Sequence, residues 1–257
     1  MKKVLVDLTI KEVQHVNANC VLLVMCSETP LPKTLPGQFA ELRVDNTPSV
    51  VLRRPISVHS FDAQKNEIGF LVQVVGDGTR WLASLKVGDK VNTLMPLGNG
   101  FTMPTEAGGR YLLVGGGVGS APLYYLAEQL KKNGNDFVIL IGARAQKDLY
   151  RRDAYEALGR VEYTTEDGSL GEKGYVTNHS VLSEKFDRIY TCGPKPMMLA
   201  VAKYAREYGI ACEVSLENKM ACGLGACLCC VEDSKEGNVC VCTSGPVFNT
   251  KELKWEI

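Results

Sequence analysis

The cysteines near the carboxyl end constrain this chain more than any other feature. Cys222, Cys227 and Cys230 are followed, after eleven further residues, by Cys242. A C-x4-C-x2-C run with a distant fourth cysteine is typical of plant-type [2Fe–2S] sites, in which four thiolates hold two irons. Glycines between the first two cysteines let the backbone bend and bring N–H groups close to sulfur. The spacing therefore predicts a loop that folds over a [2Fe–2S] cluster and binds it through these four cysteines.

Two cysteines compete for the fourth ligand position, because Cys240 lies only two residues before Cys242. Cys242 is favoured since a turn, Ser244–Pro246, follows it and suits a ligand held by a loop. Cys240 stays open as the alternative. Cys229 lies between two predicted ligands and is interpreted as a packing residue or a spare thiol. The remaining cysteines lie in apolar, strand-like runs, where a free thiol behaves as a small hydrophobe: Cys20, Cys26, Cys192 and Cys212.

Zinc and disulfides fit these cysteines less well than iron and sulfide. A zinc site usually shows two C-x2–4-C pairs or Cys/His pairs, but Cys240 and Cys242 are separated by one residue and no histidine follows His179. A disulfide framework needs an oxidising compartment, and the apolar run after Met1 is too short for a secretory leader. Ten cysteines without such a leader predict a cytoplasmic protein.

Composition excludes several classes of function. The 257 residues indicate about two domains and a small appendage. A hydrophobic content of 45% with 25 glycines fits an α/β protein rich in tight turns. The formal charge is zero and no basic run occurs, so nothing supports nucleic-acid binding. No apolar stretch approaches the roughly 20 residues that a membrane-spanning helix needs, so no membrane partner is expected.

The first domain, residues 1–100, is predicted to be an antiparallel β-barrel. Segments rich in Val, Leu and Ile are separated at short intervals by Pro, Gly, Asn and Asp. The predicted strands are Val4–Ile10, Cys20–Cys26, Gln38–Val44, Ser49–His59, Glu67–Val75 and Lys90–Leu94.

The second domain, residues 101–216, is predicted to be a parallel sheet with helices on both faces, because strand-like and helical patterns alternate. Its predicted strands are Tyr111–Val114, Phe137–Ile141, Val161–Thr165, Arg188–Thr191 and Ala211–Ser215, and its predicted helices are Ala121–Lys132, Lys147–Leu158 and Pro196–Tyr208. Residues 217–257 are predicted to form the cluster lobe, with short strands at Leu228–Glu232 and Asn238–Val241.

Two motifs of the second domain predict a dinucleotide site. The glycine-rich turn Gly115–Pro122 lies between a predicted strand and helix, where Gly116, Gly117 and Gly119 allow the backbone to approach a pyrophosphate. A plain strand–helix turn packed on glycine is the alternative. Cys192, Gly193 and Pro194 follow another parallel strand at the same edge of the sheet, which is where ligands of such sheets bind. Cys192 is either a buried packing residue or a contact to a nicotinamide ring.

Two motifs of the barrel predict a second phosphate-binding site. In Arg53-Arg54-Pro55-Ile56-Ser57 the adjacent arginines alternate faces, so one can face solvent and one a ligand phosphate. A solvated strand edge is the alternative. The strand Leu71-Val72-Gln73 leads into Gly76-Asp-Gly78-Thr79, a turn whose amides could hold a second diphosphate.

Together these motifs resemble the ferredoxin–NADP reductase superfamily and, within it, the electron-transfer subunits of dihydroorotate dehydrogenase B. The resemblance covers essentially the whole chain. Arg54–Ser57 matches the FAD motif of these subunits, and Gly78-Thr79 their flavin phosphate turn. Gly115–Pro122 and Cys192–Met198 match their nicotinamide-nucleotide motifs. Cys222, Cys227, Cys230 and Cys242 match their cluster ligands.

The resemblance implies the cofactors and the partner. Electrons from an FMN-containing catalytic subunit that oxidises dihydroorotate would cross the [2Fe–2S] cluster and FAD to NAD+ in pyrimidine synthesis. Two subunits of each kind would form a heterotetramer. The FAD residues implied are Arg54, Pro55, Ile56, Ser57, Leu71, Val72, Gln73, Gly78 and Thr79; those for NAD are Gly116, Gly117, Gly119, Cys192, Gly193 and Pro194. No catalytic acid, base or nucleophile is expected, because the chain has three histidines and none lies beside these motifs.

Departures from the wider superfamily leave alternatives. Ile56 stands where many members carry a Tyr that stacks on the flavin, which favours the dihydroorotate branch. Arg144 occupies the region where an acidic residue would bind the NAD ribose, so residue chemistry leaves NAD and NADP open. The alternatives are a reductase subunit linked to sulfide, ferredoxin or a hydrogenase, and a zinc-stabilised binding module without activity.

Overall fold

The structure is a computed structural model that describes residues 2–256. Met1 and Ile257, the outer ends of the predicted ranges 1–100 and 217–257, lie outside it. The strands are β1 (Val4–Asn17), β2 (Cys20–Cys26), β3 (Phe39–Leu42), β4 (Arg54–Asp62), β5 (Glu67–Gln73), β6 (Lys90–Leu97), β7 (Arg110–Gly116), β8 (Asp136–Ala143), β9 (Arg160–Thr165), β10 (Glu172–Lys173), β11 (Arg188–Cys192), β12 (Ala211–Ser215), β13 (Val231–Ser234), β14 (Gly237–Cys240) and β15 (Val247–Asn249). The α-helices are α1 (Asp77–Ala83), α2 (Ala121–Lys132), α3 (Arg152–Leu158), α4 (Lys195–Glu207) and α5 (Val241–Ser244). Short 3-10 helices cover Gly117–Ser120, Gln146–Asp148, Val176–Asn178 and Ser180–Ser183.

The amino-terminal strands close into the predicted antiparallel barrel. Their order around it is β1-β2-β5-β4-β3-β6, and every neighbouring pair is antiparallel. Alternate residues of the strands fill its core, including Leu23, Val58, Phe70 and Met95, each fully buried. The fourth strand begins at Arg54 rather than Ser49, because residues 49–53 form a bend leading to the strand.

The predicted parallel sheet is also present, in the order β10-β9-β8-β7-β11-β12, with β15 added antiparallel at its edge. Its strands are buried on both faces: Leu112 and Val138 face α4, whereas Leu113 and Ile139 face α2 and α3. This division confirms helices on both sides of the sheet. The predicted helix Lys147–Leu158 is shorter than expected, since α3 begins only at Arg152.

The carboxyl-terminal segment leaves this sheet and returns to it. After β12 the chain forms the cysteine loop, the hairpin β13–β14 and the short helix α5. It then re-enters the sheet as β15, where Val247 pairs with Ser215. The predicted strand at Leu228–Glu232 begins only at Val231, because residues 228–230 belong to the cysteine loop. Within residues 2–256, no helix has the length and apolar character to cross a membrane.

Candidate functional site

A cavity of about 650 Å³ is bordered by all three parts of the chain. The barrel contributes the predicted residues Arg54, Pro55, Ile56, Ser57, Leu71, Gln73 and Thr79. The parallel-sheet domain contributes Gly119 and Cys192, and the cysteine loop contributes Met220 and Cys229. The predicted barrel motifs and the predicted nicotinamide motif therefore meet at one place, which we term the central cavity.

Strand alternation decides which residues of the motif on β5 reach the central cavity. Leu71 and Gln73 border it, whereas Val72 is fully buried in the barrel core. Successive side chains of a strand point to opposite faces, so the side chain of Val72 packs against the barrel strands. Gln73 also joins the two domains, because its Nε2 donates to the Tyr150 hydroxyl at 3.2 Å.

The two adjacent arginines make different contacts, although both border the central cavity. The sequence predicted that one of them would face solvent, but neither side chain is free of protein contacts. Arg53 donates to the backbone oxygen and to Oδ1 of Asn92 at 2.7 and 2.6 Å, so its guanidinium is committed to the barrel. Arg54 lies over the first turn of α1: a Cβ on Gly78 would be 3.0 Å from Arg54 Cδ. Because Gly78 has no Cβ, the Arg54 side chain has room to pack beside the turn.

The segment predicted as a Gly-x-Gly-Thr turn opens the helix α1. Thr79 Oγ1 accepts N–H groups of Val75 and Gly76 at 2.9 and 3.0 Å and donates to the Gly76 carbonyl at 3.0 Å. The first N–H groups of a helix lack partners within the helix. The threonine thus orders a turn whose remaining amides and the Arg54 guanidinium are on the same side of the barrel.

A second cavity of about 810 Å³ adjoins the central one and is bordered by the glycine-rich turn. We term it the nucleotide cavity. Gly116, Gly117, Gly119, Gly193 and Pro194 line it, as the two sequence motifs predicted. Arg144 and Glu166, which follow β8 and β9, also line it. Since Gln73 and Gly119 border both cavities, a ligand in one can contact a ligand in the other.

The two nucleotide motifs touch backbone to backbone. A Cβ on Gly119 would lie 2.5 Å from Gly193 Cα and 2.6 Å from the Cys192 carbonyl oxygen, closer than real Cβ contacts. Thr191 Oγ1 donates to the Val114 carbonyl at 2.9 Å and joins the strands that precede both motifs. Glycine at position 119 is therefore required by packing as well as by any approach to phosphate.

Cys192 borders the central cavity although it is 8% exposed. Burial raises the pKa of its thiol to about 12, so the side chain is a neutral thiol at physiological pH. The burial agrees with a packing residue, and the thiol also forms part of the wall of the central cavity. A contact with a nicotinamide ring stays a prediction.

Backbone N–H groups point at three of the four predicted ligand thiols. Leu224 N lies 3.4 Å from Cys222 Sγ, Gly225 N lies 3.2 Å from Cys242 Sγ, and Cys242 N lies 3.4 Å from Cys230 Sγ. The N–H groups of Leu224 and Cys227 lower the pKa of Cys222 to about 6. Burial raises the pKa of Cys242 to about 12. Such N–H donors are the groups that stabilise thiolates around an iron–sulfur cluster.

The competing thiols differ in what they face. Cys242 Sγ accepts the Gly225 N–H, whereas Cys240 Sγ lies 3.9 Å from the Gly225 carbonyl oxygen. A carbonyl oxygen next to a thiolate is unfavourable, because the partial negative charge of the oxygen repels the negative charge of the sulfur. Cys242 lies in the short helix α5 and not in the loop that the sequence predicted, and it is fully buried.

All ten cysteines are free thiols, so the structure shows no disulfide framework. Cys20, Cys192 and Cys212 are buried, Cys26 is half-buried, and Cys227 and Cys229 are exposed. Across residues 2–256, no three His, Cys, Asp or Glu side chains surround a single point as a ready metal site. Among these thiols, Cys222 lies beside Cys227, and Cys230 lies beside both Cys242 and the alternative ligand Cys240.

The sequence reasoning missed a buried acid behind the cysteine loop. Glu41 is 1% exposed, and neither carboxylate oxygen has a hydrogen-bond partner. A Cβ on Gly223 would be 2.9 Å from Glu41 Cγ, and Gly223 has a left-handed φ of +64°. Burial raises the Glu41 pKa to about 7, although Arg53 and Arg54 oppose the shift. The signal was a single acid within the apolar segment Phe39–Leu42.

It also missed His59, which lies on β4 two residues after the motif Arg54–Ser57 and is fully buried. Its Nδ1 is 2.8 Å from the Ala121 carbonyl, and its Nε2 contacts Arg151. Burial, reinforced by Arg151, lowers the His59 pKa to about 3. No local pattern signals this contact, because its partners are far away in the sequence.

Two known families match parts of this chain. The family described as "Iron-sulfur cluster binding domain of dihydroorotate dehydrogenase B" matches residues 217–254. The family described as "Oxidoreductase NAD-binding domain" matches residues 113–203. The first range contains the four predicted cluster ligands and the second contains both nucleotide motifs.

Similar proteins span nearly the whole chain. A protein of Shouchella clausii (strain KSM-K16), named "Dihydroorotate dehydrogenase B (NAD(+)), electron transfer subunit", is 38% identical over 98% of this chain and 99% of its own length. A protein of the same name from Caldanaerobacter subterraneus subsp. tengcongensis is 43% identical over 86% of this chain and 87% of its own. A solved chain of the NADH-dependent reduced ferredoxin-NADP oxidoreductase superimposes with a TM-score of 0.86 at 31% identity, covering 97% of this chain and 90% of that one.

Proposed function

This chain belongs to the family of electron-transfer subunits of NAD-dependent dihydroorotate dehydrogenase B, and from that premise we propose that it carries electrons from a catalytic partner subunit to NAD+. It is an oxidoreductase subunit that uses a [2Fe–2S] cluster and FAD. The observation that carries the proposal is the central cavity, because the barrel, the parallel-sheet domain and the cysteine loop all border it. A flavin held there would adjoin the nucleotide cavity through Gln73 and Gly119 and the cysteine loop through Cys229.

Cys222, Cys227, Cys230 and Cys242 are proposed as the cluster ligands. Support comes from the backbone N–H groups that point at the thiols of Cys222, Cys230 and Cys242. Cys227 is exposed, so it would hold the cluster from the solvent side of the loop. When bound, the cluster and flavin would supply the exchange between single electrons and the two-electron hydride that NAD+ accepts.

The FAD-holding residues are proposed to be Arg54–Ser57, Leu71, Val72, Gln73, Gly78 and Thr79. Arg54 supplies a fixed positive charge beside the ordered first turn of α1, which suits a diphosphate. Ile56 gives an apolar surface rather than an aromatic one. The part of Val72 in this set is limited to its backbone, since its side chain fills the barrel core.

The nicotinamide nucleotide is proposed to bind Gly116, Gly117, Gly119, Gly193 and Pro194 in the nucleotide cavity, with Cys192 at the ring. The glycine-rich turn allows a diphosphate to approach the backbone closely. Arg144 and Glu166 both line the cavity, so they present opposite charges to the far end of the ligand. The assignment of NAD over NADP rests on the family.

The side chains around both cavities bind and orient cofactors. None of His15, His59 and His179 lines either cavity. The absence of a histidine is consistent with hydride and electron transfer, which need alignment rather than an acid–base pair. Oxidation of dihydroorotate to orotate releases two electrons and two protons; NAD+ takes both electrons and one proton as hydride, and the second proton leaves to water.

The partner is proposed to be the FMN-containing catalytic subunit, in a cytoplasmic heterotetramer of two subunits of each kind. Leu224 and Leu228 flank Cys227 on the cysteine loop and are 50% and 65% exposed. Exposed apolar side chains beside a redox centre favour a protein contact there. Electrons would then enter at the loop and leave at the nucleotide cavity.

A second candidate function is a reductase subunit for ferredoxin or another donor. The TM-score of 0.86 to the NADH-dependent reduced ferredoxin-NADP oxidoreductase chain favours it. The match of residues 217–254 and the identities of 38% and 43% weigh against it.

Copurification with the native partner, followed by an assay of dihydroorotate-dependent NAD+ reduction, tests the proposal. We expect a brown-yellow complex with flavin and iron–sulfur absorption that reduces NAD+ when dihydroorotate is added. A complex that reduces NAD+ only with reduced ferredoxin would select the second candidate. A colourless protein that contains zinc and no flavin would exclude both.

A further inference from the structure

His59 connects the flavin-side strand to the start of α2. It is the second residue after Ser57 on β4, it is fully buried, and its Nδ1 is 2.8 Å from the carbonyl oxygen of Ala121. A carbonyl oxygen can only accept a hydrogen bond, so Nδ1 carries the proton and Nε2 is left as an acceptor. The imidazole is therefore a neutral ring with a defined tautomer.

Arg151 completes the contact from a third element. Its Nη1 donates to His59 Nε2, and its guanidinium carbon lies 4.9 Å from the centroid of the Tyr124 ring. Tyr124 stacks on His59 with centroids 4.6 Å apart and planes 24° from parallel. Arg151 holds this position with a left-handed φ of 50° immediately before α3. Residues other than glycine adopt that conformation at an energetic cost, so the surrounding contacts fix it.

The same cluster holds a second carbonyl of the glycine-rich turn. The Tyr155 hydroxyl donates to the carbonyl oxygen of Ser120 at 2.8 Å, and the Tyr155 ring packs edge-on against His59 and Tyr124. Ser120 and Ala121 directly follow Gly119, which borders both the central and the nucleotide cavity. Two consecutive carbonyls of the turn are thus tied to one aromatic cluster.

We propose that His59 is a positioning residue for hydride transfer, which fixes the glycine-rich turn against β4 and so sets the separation of the two rings. The inference rests on the proposed function, because it assigns FAD to the central cavity and NAD to the nucleotide cavity. β4 carries the FAD motif, and the turn carries the NAD motif. His59 is the side chain that joins these two backbones by a direct hydrogen bond.

Three variants test the contacts of His59 one at a time. Each variant chain is purified with FAD and the cluster bound. In His59→Asn an amide nitrogen takes the position of Nδ1 and keeps the bond to Ala121. In His59→Gln the amide reaches the position of Nε2 and loses that bond, and His59→Phe keeps only the ring. Tyr125→Phe is the matched control, since it removes a 3.0 Å bond from α2 to the Thr34 carbonyl across the same interface but away from the turn.

The measurements are the rate of FAD reduction in a single anaerobic mixing with NADH, the dissociation constant of NADH, and amide exchange at residues 117–123. We expect His59→Phe and His59→Gln to slow FAD reduction at least about tenfold, because small misplacements of reacting groups have large kinetic effects. The dissociation constant should change less than about threefold. Amide exchange in the turn should accelerate, while His59→Asn and Tyr125→Phe stay near wild type in both respects.

Equal slowing in Tyr125→Phe and His59→Phe, or wild-type FAD reduction in His59→Phe, would overturn the inference. Failure of the wild-type chain itself to reduce bound FAD with NADH would instead reject the proposed function. The two failures are therefore distinguished by the wild-type measurement.

Discussion

The barrel meets its neighbours at two interfaces that are built differently. Against the parallel-sheet domain, the buried polar groups are paired: His59 with Ala121 and Arg151, and Tyr125 with Thr34. Against the carboxyl-terminal segment, Asn99 donates to the Ser244 carbonyl of α5 at 2.9 Å, but the buried Glu41 has no hydrogen-bond partner for either carboxylate oxygen.

This difference indicates that the first interface stabilises the fold, whereas the second one serves function. Buried polar groups in native proteins are nearly always hydrogen-bonded, and an unpaired one destabilises the fold. The first interface satisfies that rule with the polypeptide alone. The second combines an unpaired acid, a left-handed glycine and a group of thiols, which is the kind of local cost found at functional sites. Changes in the cysteine loop should therefore remove function first, and changes at His59 should alter stability as well.

The largest effect is expected from Cys227→Ser at the second interface. The variant should lose the cluster and keep FAD, so NADH oxidation by artificial dyes continues. Transfer from dihydroorotate to NAD+ in the reconstituted complex should fall at least ~100-fold, because the one-electron carrier is missing. Iron analysis and visible spectra measure the loss, with Cys229→Ser as the control that keeps its cluster. Undiminished transfer in Cys227→Ser would show that the proposed electron route is wrong.

The next effect concerns the fourth ligand. Cys242→Ser should bleach the iron–sulfur absorption, because the sulfur that faces the Gly225 N–H is removed. Cys240→Ser should retain it, since that sulfur faces a carbonyl. Iron content and absorption of the two variants, prepared side by side without oxygen, decide between them. The reverse result would reassign the ligand to Cys240.

A smaller effect is expected at the first interface in acid. His59 has a pKa of about 3 in the folded chain and a reference value of 6.5, so only the unfolded state takes up the proton as the pH falls below 6.5. Folded stability should therefore decline from pH 6.5 toward pH 3, by about 2 kcal/mol at pH 5 from this group.

Urea unfolding across this pH range measures the decline. His59→Asn should lack the contribution of His59, and its curve should be flatter than that of wild type. Tyr125→Phe should shift the whole curve without changing its slope. Parallel curves for wild type and His59→Asn would mean that His59 is not buried as a neutral ring.

The smallest effect is expected for Glu41→Gln. The pKa of Glu41 is raised from 4.5 to about 7, so wild type should lose stability as the pH rises through that window and the buried carboxyl ionises. The amide cannot ionise, and the variant should be more stable by about 1 kcal/mol at pH 8, after allowance for screening by nearby arginines. At pH 5 the two proteins should be nearly equal. A variant less stable at pH 8 would show that the carboxylate has a favourable partner.

Patterns within short segments predicted much of the architecture. β2 (Cys20–Cys26) and β12 (Ala211–Ser215) occur with the predicted bounds. β2 is a continuous apolar run, which is typical of a buried strand, whereas β12 is interrupted by Glu213 and was predicted from the alternation of strands and helices. α2 (Ala121–Lys132) also matches, since its apolar spacing and the proline in its first turn are local signals.

Features that depend on distant contacts were missed. The sequence predicted a turn where α1 begins at Asp77, because Gly76 and Gly78 are typical turn residues and Thr79 orders the N-terminus of the helix through contacts that the sequence does not show. α3 begins late because Arg151 turns toward His59, and that contact spans two domains. The strand β15 has no strong pattern of its own and exists through pairing with β12. The cysteine spacing identified four candidate ligands, but it could not predict the buried Glu41 beside Gly223.

The antiparallel pairing of Ser215 with Val247 gives the carboxyl-terminal segment the character of an insertion. Everything between those two residues departs from and rejoins one sheet at adjacent points, so its length and sequence could vary without opening the sheet beneath. A tight hairpin substituted between Ser215 and Val247 should leave the barrel and the parallel sheet folded, although it removes the wall that Met220 and Cys229 give the central cavity. In evolutionary terms, the segment between Ser215 and Val247 could be exchanged for another electron-accepting segment while the groups that transfer hydride stay in place.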